Sequence, residues 1–203
     1  MLIAGLTGGL ASGKSFVAAA LADLGAHIVE ADHLGHEVLA QSGSAYAAVV
    51  EAFGSGILTP SGEINRSALA AIVFRDADAL ARLNAIVHPA VQDLAEKRFQ
   101  RIAQEQQDAI GIYVAAIPVE TGGYRQFPWL IVTRCTREQQ IERAMARSGA
   151  TRADVEARLS RQLPLEQKLA LATHIIDTGG TTEETLRQTK MVYNDLLEKQ
   201  KVP

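Results

Sequence analysis

Residues 7–16 read TGGLASGKSF, and Gly8, Gly13, Lys14 and Ser15 stand at the spacing G-x-x-x-x-G-K-[ST]. That spacing suits the holding of a nucleoside triphosphate. Glycines let successive backbone NH groups converge on phosphate oxygens, while a following helix aims its positive end at the same anion. Gly8, Gly9 and Gly13 serve that geometry. Lys14 would bring a point charge to the β and γ phosphates, and the Ser15 hydroxyl is short enough to ligate a magnesium ion bridging them.

A transferred phosphoryl group needs an acceptor and a group that handles the acceptor's proton. Asp32 follows the apolar run AHIV, and a carboxylate there can orient a hydroxyl, take its proton or hold the metal through water. The same residue type commonly caps a helix, here one beginning near His33. Between Arg134 and Arg161 there are seven arginines against four acids, a basic patch in an acidic chain. Arg143 and Arg147, four apart, share a helix face, and SGAT after Arg147 starts a further helix that would fold over bound nucleotide as a lid. An arginine there would stabilise charge on the transferring group, although arginines beside Glu138 and Glu142 usually form a solvated face. His33 and His36 fall on different helical faces and complete no metal ligand set, and His88 before Pro89 reads as a capping or packing residue.

These groups must be positioned by elements that the pattern also predicts. Leu2 to Leu6 is a short buried strand, and Ser15 to Leu24 a helix with Val17, Ala20, Leu21 and Leu24 on one face, stopped by Gly25. Residues 26–32 form the next strand, so the phosphate loop sits inside a βαβ crossover. From His33 to about Asp108 the patterns are helical, punctuated by Gly54, Gly56, the PSGE turn at Pro60 to Glu63 and Pro89. A crossover needs only a dozen or so residues, so this stretch is a helical insertion. Residues 109–117, 128–135 and 172–177 read as three more central strands, and Thr182 to Lys199 as an amphipathic closing helix using Leu186, Val192, Leu196 and Leu197. The result is an α/β chain built on a doubly wound parallel sheet, with Asp32 expected at a strand's carboxyl end, facing Lys14 and Ser15.

Composition narrows the field. At 203 residues the chain holds one α/β domain, and 47% hydrophobic with 21% charged residues is globular. A net charge of −3 gives no reason to expect nucleic acid. The lone Cys135 allows neither an internal disulfide nor a thiolate zinc cluster and is expected as a buried small hydrophobe. No signal pattern and no membrane-length apolar run occur, so no membrane partner is expected and the cytoplasm is the expected compartment. Oligomeric state is not assigned.

The stretch GLTGGLASGKSFVAAALADLGAHIVEAD closely resembles the opening of the dephospho-CoA kinase family. Residues 53–74, FGSGILTPSGEINRSALAAIVF, resemble that family's turn and R-x-x-L helix, and LNAIVHP, residues 83–89, its His-Pro segment. Residues 137–162 are similar to its Q-x-x-R-x-x-x-R run and a lid ending in glutamine. The resemblance spans nearly the whole chain. It implies a P-loop NTPase-type five-stranded parallel sheet flanked by helices, with core 1–33, 109–140 and 170–203, a helical acceptor-binding insertion 34–108 and a lid of about 141–169. It implies transfer of the γ-phosphoryl of ATP to the 3'-hydroxyl of dephospho-CoA, with Mg2+, giving CoA and ADP. By the same matching Gly8, Gly9, Leu10, Ala11, Ser12, Gly13, Lys14, Ser15 and Phe16 hold the phosphates, Phe16 through its backbone NH alone. Arg143 and Arg147 join from the lid, and Asp32, Lys14 and Arg147 act in catalysis, Asp32 as base. Asp32, Arg66, His88, Glu120 and Gln162 fall to the acceptor, and Ser15 to the metal.

Some positions depart from the family pattern. Glu30 replaces the first aspartate of D-A-D, Phe16 stands for threonine, AAIPVETGG distorts a P-L-L-F-E segment, and Thr173 and Thr178 replace an aspartate and an asparagine near the adenine. Two rival readings remain: a P-loop kinase of another small hydroxyl compound, and a weakened ATP-binding relative. A guanine-reading N/T-K-x-D is absent, the one TK being followed by Met191 and Val192.

Overall fold

A computed structural model of the chain describes residues 1–115 and 123–201. Five strands, β1 (Leu2–Gly8), β2 (His27–Glu30), β3 (Ile110–Val114), β4 (Trp129–Arg134) and β5 (His174–Asp177), form one sheet in the order β2-β3-β1-β4-β5. β1 pairs parallel with β3 from Leu2 against Ile110 to Leu6 against Val114, and on its other edge parallel with β4. β4 pairs parallel with β5. The helices are α1 (Lys14–Asp23), α2 (Ala31–Val38), α3 (Tyr46–Phe53), α4 (Arg66–Val73), α5 (Ala77–Glu105), α6 (Arg137–Ser148), α7 (Arg152–Leu159), α8 (Leu165–Leu169) and α9 (Thr182–Gln200). No helix among the described residues is long and apolar enough to cross a membrane.

The chain divides into two compact units, Met1–Val29 with Ile102–Pro203, and Glu30–Arg101. In the first, strand alternation sends side chains to both faces of the sheet. Ala4, Leu6, Ile110, Ile112, Ile131 and Ile176 pack with Val17 and Leu21 of α1 and Val192 and Leu196 of α9. Leu130 and Val132 pack instead with Leu163, Leu165, Leu169 and Ala172 around α8. Two covered faces explain why the strands read as continuous apolar runs. The buried side of α9 is Thr185, Thr189, Val192 and Leu196, so Leu186, expected inward, is 43% exposed. It lies one residue, about 100°, off that face.

In the second unit the PSGE turn forms as expected, with Thr59 and Glu63 joined by a backbone hydrogen bond of 2.8 Å beside the Leu58–Ile64 bridge. Asn65 then caps α4, its side chain accepting from the Ala68 NH. Two expectations fail here. Pro89 does not punctuate: it lies inside the continuous helix α5. An interior proline costs about 3 kcal/mol, and Val91, Ala95 and Phe99, buried at helical spacing beyond it, hold the helix together. Asp32 ends no strand and caps no helix. Glu30 takes the N-cap position, and Asp32 lies in the first turn of α2 because Leu34 and Val38, buried four apart, start the helix at Ala31.

Candidate active site

β1 ends at Gly8 and α1 begins at Lys14, and the loop between them needs its first and last glycines for different reasons. A Cβ on Gly8 would lie 2.2 Å from Thr133 Oγ1 and 2.5 Å from Ser12 Oγ. Gly13 is the N-cap of α1 with φ 83°, a left-handed conformation that costs a side-chain-bearing residue energy. Ala11 nevertheless holds φ 53°, an outlier of the kind that persists only where surroundings enforce it.

Those surroundings are visible in the hydrogen bonds. Lys14 Nζ donates to the carbonyls of Gly8 at 3.0 Å and Gly9 at 2.9 Å. Ser12 Oγ donates to Gly9 O at 2.8 Å and meets Thr133 Oγ1 at 2.8 Å. Gln140 Nε2 of α6 donates to Leu10 O at 2.9 Å, and Thr178 Oγ1 donates to Ser12 O at 3.0 Å. Four loop carbonyls are thus held by donors, while the first-turn amides of α1, Lys14 to Phe16, have no intrahelical acceptor. An anion arriving at this helix start meets NH groups and an ammonium. Ser15 is exposed on that first turn.

From α6, Arg143 donates to Thr178 Oγ1 at 3.2 Å and Thr178 O at 2.7 Å. The buried Thr178 therefore links Arg143 to the loop. Arg147, one turn later, is exposed, and no hydrogen bond or ion pair among the described residues engages it. Arg152, by contrast, pairs with both Glu138 oxygens at 2.7 Å and with Glu156 at 3.0 Å. These pairs hold the Glu138 carboxyl below its ordinary range and push the Arg152 guanidinium up. That is the solvated, ion-paired face expected of most of these arginines. Burial pushes the Cys135 thiol up, and the nearby Arg143 partly offsets it.

Two cavities open beside the end of β4, both lined by Cys135 and Thr136. One, of about 580 Å³, lies among Arg134, Gln139, Asp177, Gly179 and Gln188. The other, of about 460 Å³, reaches Gly9 and is lined by Gln140, Gln162, Ser160 and the wholly buried Lys168. Gln162, expected toward the acceptor, accepts from the Leu10 NH at 2.9 Å. Thr173 and Thr178 separate along β5. Thr173 precedes the strand and bonds the Leu130 backbone near the start of β4, whereas Thr178 follows the strand at the loop. Only Thr178 therefore touches the phosphate loop.

In the Glu30–Arg101 unit, Asp32 is exposed, and no hydrogen bond or ion pair within that unit engages its carboxylate. The neighbouring Glu30 lies 3.7 Å from His33 Nδ1. Arg66 opens α4 and is exposed, and His88 is half-buried on α5. Glu120 lies outside the described residues. Sequence reasoning missed Gln140, Thr133 and the bridging role of Thr178. Of these only Gln140 carried a signal, as the first residue of the Q-x-x-R spacing.

A dephospho-CoA kinase family model matches residues 2–184. A dephospho-CoA kinase from Geobacter sulfurreducens is 42% identical over 193 residues, covering 95% of this chain and 98% of that protein. A crystal structure from Thermus thermophilus superposes with a TM-score of 0.84 at 30% identity, covering 96% of this chain and 97% of that one. Dephospho-CoA kinase from Campylobacter jejuni shares the fold, with a TM-score of 0.73 at 23% identity over 97% and 98% of the two chains.

Proposed function

The chain belongs to the dephospho-CoA kinase family, and from that premise we propose which of its residues carry each part of the reaction. The activity is ATP-dependent phosphoryl transfer to the 3'-hydroxyl of dephospho-CoA, giving CoA and ADP. In the proposed assignment the loop from Gly8 to Phe16 binds the ATP phosphates, through amides other than those of Leu10 and Ser12, which donate to Gln162 and Gly9, and Lys14 follows the charge from ground state to transition state. Arg143 supports the nucleotide side through Thr178. Arg147, left without a partner among the described residues, is the guanidinium of α6 that answers charge on the γ-phosphoryl. Residues of about 141–169 act as the lid.

Ser15 suits Mg2+: it offers a hard oxygen at the loop's exposed end, and no cluster of three His, Cys, Asp or Glu among the described residues offers a separate cage. The ion would then be held by Ser15 and ATP oxygens together, and when bound it neutralises charge between the β and γ phosphates.

Asp32 is proposed as the base that takes the acceptor hydroxyl's proton. Its exposed carboxylate, unengaged within its own unit, supports this. Arg66, His88 and Glu120 are assigned to the acceptor, and the helical insertion is its binding region, while Gln162, an acceptor residue by the resemblance, is assigned instead to the loop, whose Leu10 NH it accepts. The observation that carries the reading is the phosphate loop, with its carbonyls held back and Lys14 across its mouth, in a chain matched by the family nearly end to end.

The test is ADP release from ATP and Mg2+ with and without dephospho-CoA, with adenosine and shikimate as control acceptors and the product identified by mass. The expected result is 3'-phosphorylated CoA formed only with dephospho-CoA. Phosphorylation of another acceptor, or ATP binding without turnover, would overturn it.

A further inference from the structure

Both backbone polar groups of Leu10, in the two peptides that flank its Cα, are gripped by side chains distant in sequence. Gln140 of α6 donates Nε2–H to Leu10 O at 2.9 Å, and Gln162, between α7 and α8, accepts the Leu10 NH on Oε1 at 2.9 Å. Gln140 is only 6% exposed. The apolar side chains follow the same arrangement, with Leu10 and Ala11 packed against the cluster of Ile141, Ala144 and Val155 from α6 and α7. Immediately after the gripped residue, Ala11 adopts its left-handed φ of 53°. Just before it, a Cβ on Gly9 would fall 2.2 Å from Gln140 Nε2.

We infer that Gln140 and Gln162 are positioning residues that clamp Leu10 through the peptides on both sides of it and so fix the front of the phosphate loop to the α6–α8 segment during transfer. The inference deepens the kinase reading and rests on it. The clamp acts away from the first turn of α1, where Lys14 to Phe16 present their amides. Loosening the backbone at Leu10 should therefore disturb the alignment needed for transfer more than it disturbs ATP binding.

The two contacts have opposite polarity, which makes them separable. A carboxylate at 162 still accepts the Leu10 NH. A carboxylate at 140 sets an oxygen against Leu10 O with no proton between them. Gln162→Glu keeps its contact, whereas Gln140→Glu both loses its contact and places a charge at a buried position, so Gln162→Glu is the milder change on both counts.

The experiment measures kcat, ATP affinity by calorimetry and melting temperature for the wild type, Gln140→Ala, Gln162→Ala, Gln140→Glu and Gln162→Glu. For both alanine variants kcat should fall roughly tenfold while ATP affinity stays within about threefold. Gln162→Glu should turn over at least about fivefold faster than Gln140→Glu. Should the buried Gln140 variants fail to fold, amide exchange in Gln162→Ala decides, with the Leu10 NH expected to exchange at least about tenfold faster. Equal kcat in the two glutamate variants, an unchanged kcat in Gln162→Ala, or an unchanged Leu10 exchange rate would overturn the clamp. A wild type that fails to phosphorylate dephospho-CoA would overturn the kinase reading instead, so the two failures are distinguishable.

Discussion

The phosphate loop and the surroundings of Asp32 are built on different plans. In the loop, donors hold four carbonyls, a glutamine holds one amide, and a left-handed alanine is kept in place. Around Asp32, the carboxylate is exposed, and its unit supplies no hydrogen bond to fix it. The loop must present NH groups to phosphates already charged in the ground state, and preorganised dipoles do this without reorganising as the reaction proceeds. A base must stay free to meet a hydroxyl that arrives with the acceptor. The molecule spends its hydrogen bonds on the reactant part shared by every ATP-using kinase.

Four substitutions break or sharpen this contrast. Lys14→Ala removes both the phosphate contact and the donor to two loop carbonyls, and should lower kcat/KM by roughly a thousandfold or more while weakening ATP binding. Calorimetry and ADP release read both, and normal values for either would undo the loop's assignment. Asp32→Asn should lower kcat by about a hundredfold with ATP affinity and melting temperature unchanged. A lowered melting temperature would show a carboxylate with a structural task and erase the contrast.

Thr178→Ala strips the link between Ser12 O and Arg143, and should destabilise the chain by about 1 kcal/mol and weaken ATP binding a few-fold. Denaturant melts with and without ATP give both numbers. Arg152→Ala is the control from the solvated face of α6 and α7, expected to change activity by less than about twofold because exposed ion pairs contribute little. Its small effect should also depend on pH in one direction. Arg152 lowers the Glu138 carboxyl in the folded chain, so the pair's contribution is present above the ordinary glutamate range and fades as pH falls through the lowered value. Thermal melts of wild type and variant should therefore converge on acidification.

The sequence announced the loop because its chemistry lies in consecutive residues, where glycine, lysine and serine each have a separate physical reason to be there. It announced the central strands β1, β3 and β4 because burial on both sheet faces makes them apolar runs, and the edge strands β2 and β5 as shorter apolar stretches. What holds the loop was hidden: Thr133 is 121 residues from Ser12, Gln140 is 130 from Leu10, and Thr178 is 166 from Ser12. Of these only Gln140 lies in a local pattern, the Q-x-x-R spacing, and that pattern does not say which residue it holds. Asp32 was read as a strand end because AHIVEAD is apolar at first, and the i, i+4 pair Leu34 and Val38 decides the helix start only once packed. Pro89 misled for a related reason, since proline's local penalty is certain but the packing that outweighs it is tertiary. The separation of Thr173 from Thr178 was implicit in the strand read over residues 172–177, but the partner that each finds, Leu130 or Ser12, was not.

The central place of β1 also governs when the chain becomes competent during synthesis. Of the five strands Leu2–Gly8 leaves a ribosome first, yet its neighbours are Ile110–Val114 and Trp129–Arg134, and Thr178, which secures the loop, follows Ser12 by 166 residues. At roughly 5–20 residues per second, the nascent loop spends many seconds with its residues in order and its scaffold missing. Nucleotide stabilises only a form that binds it, so its full effect on this chain is expected once residue 178 is in place.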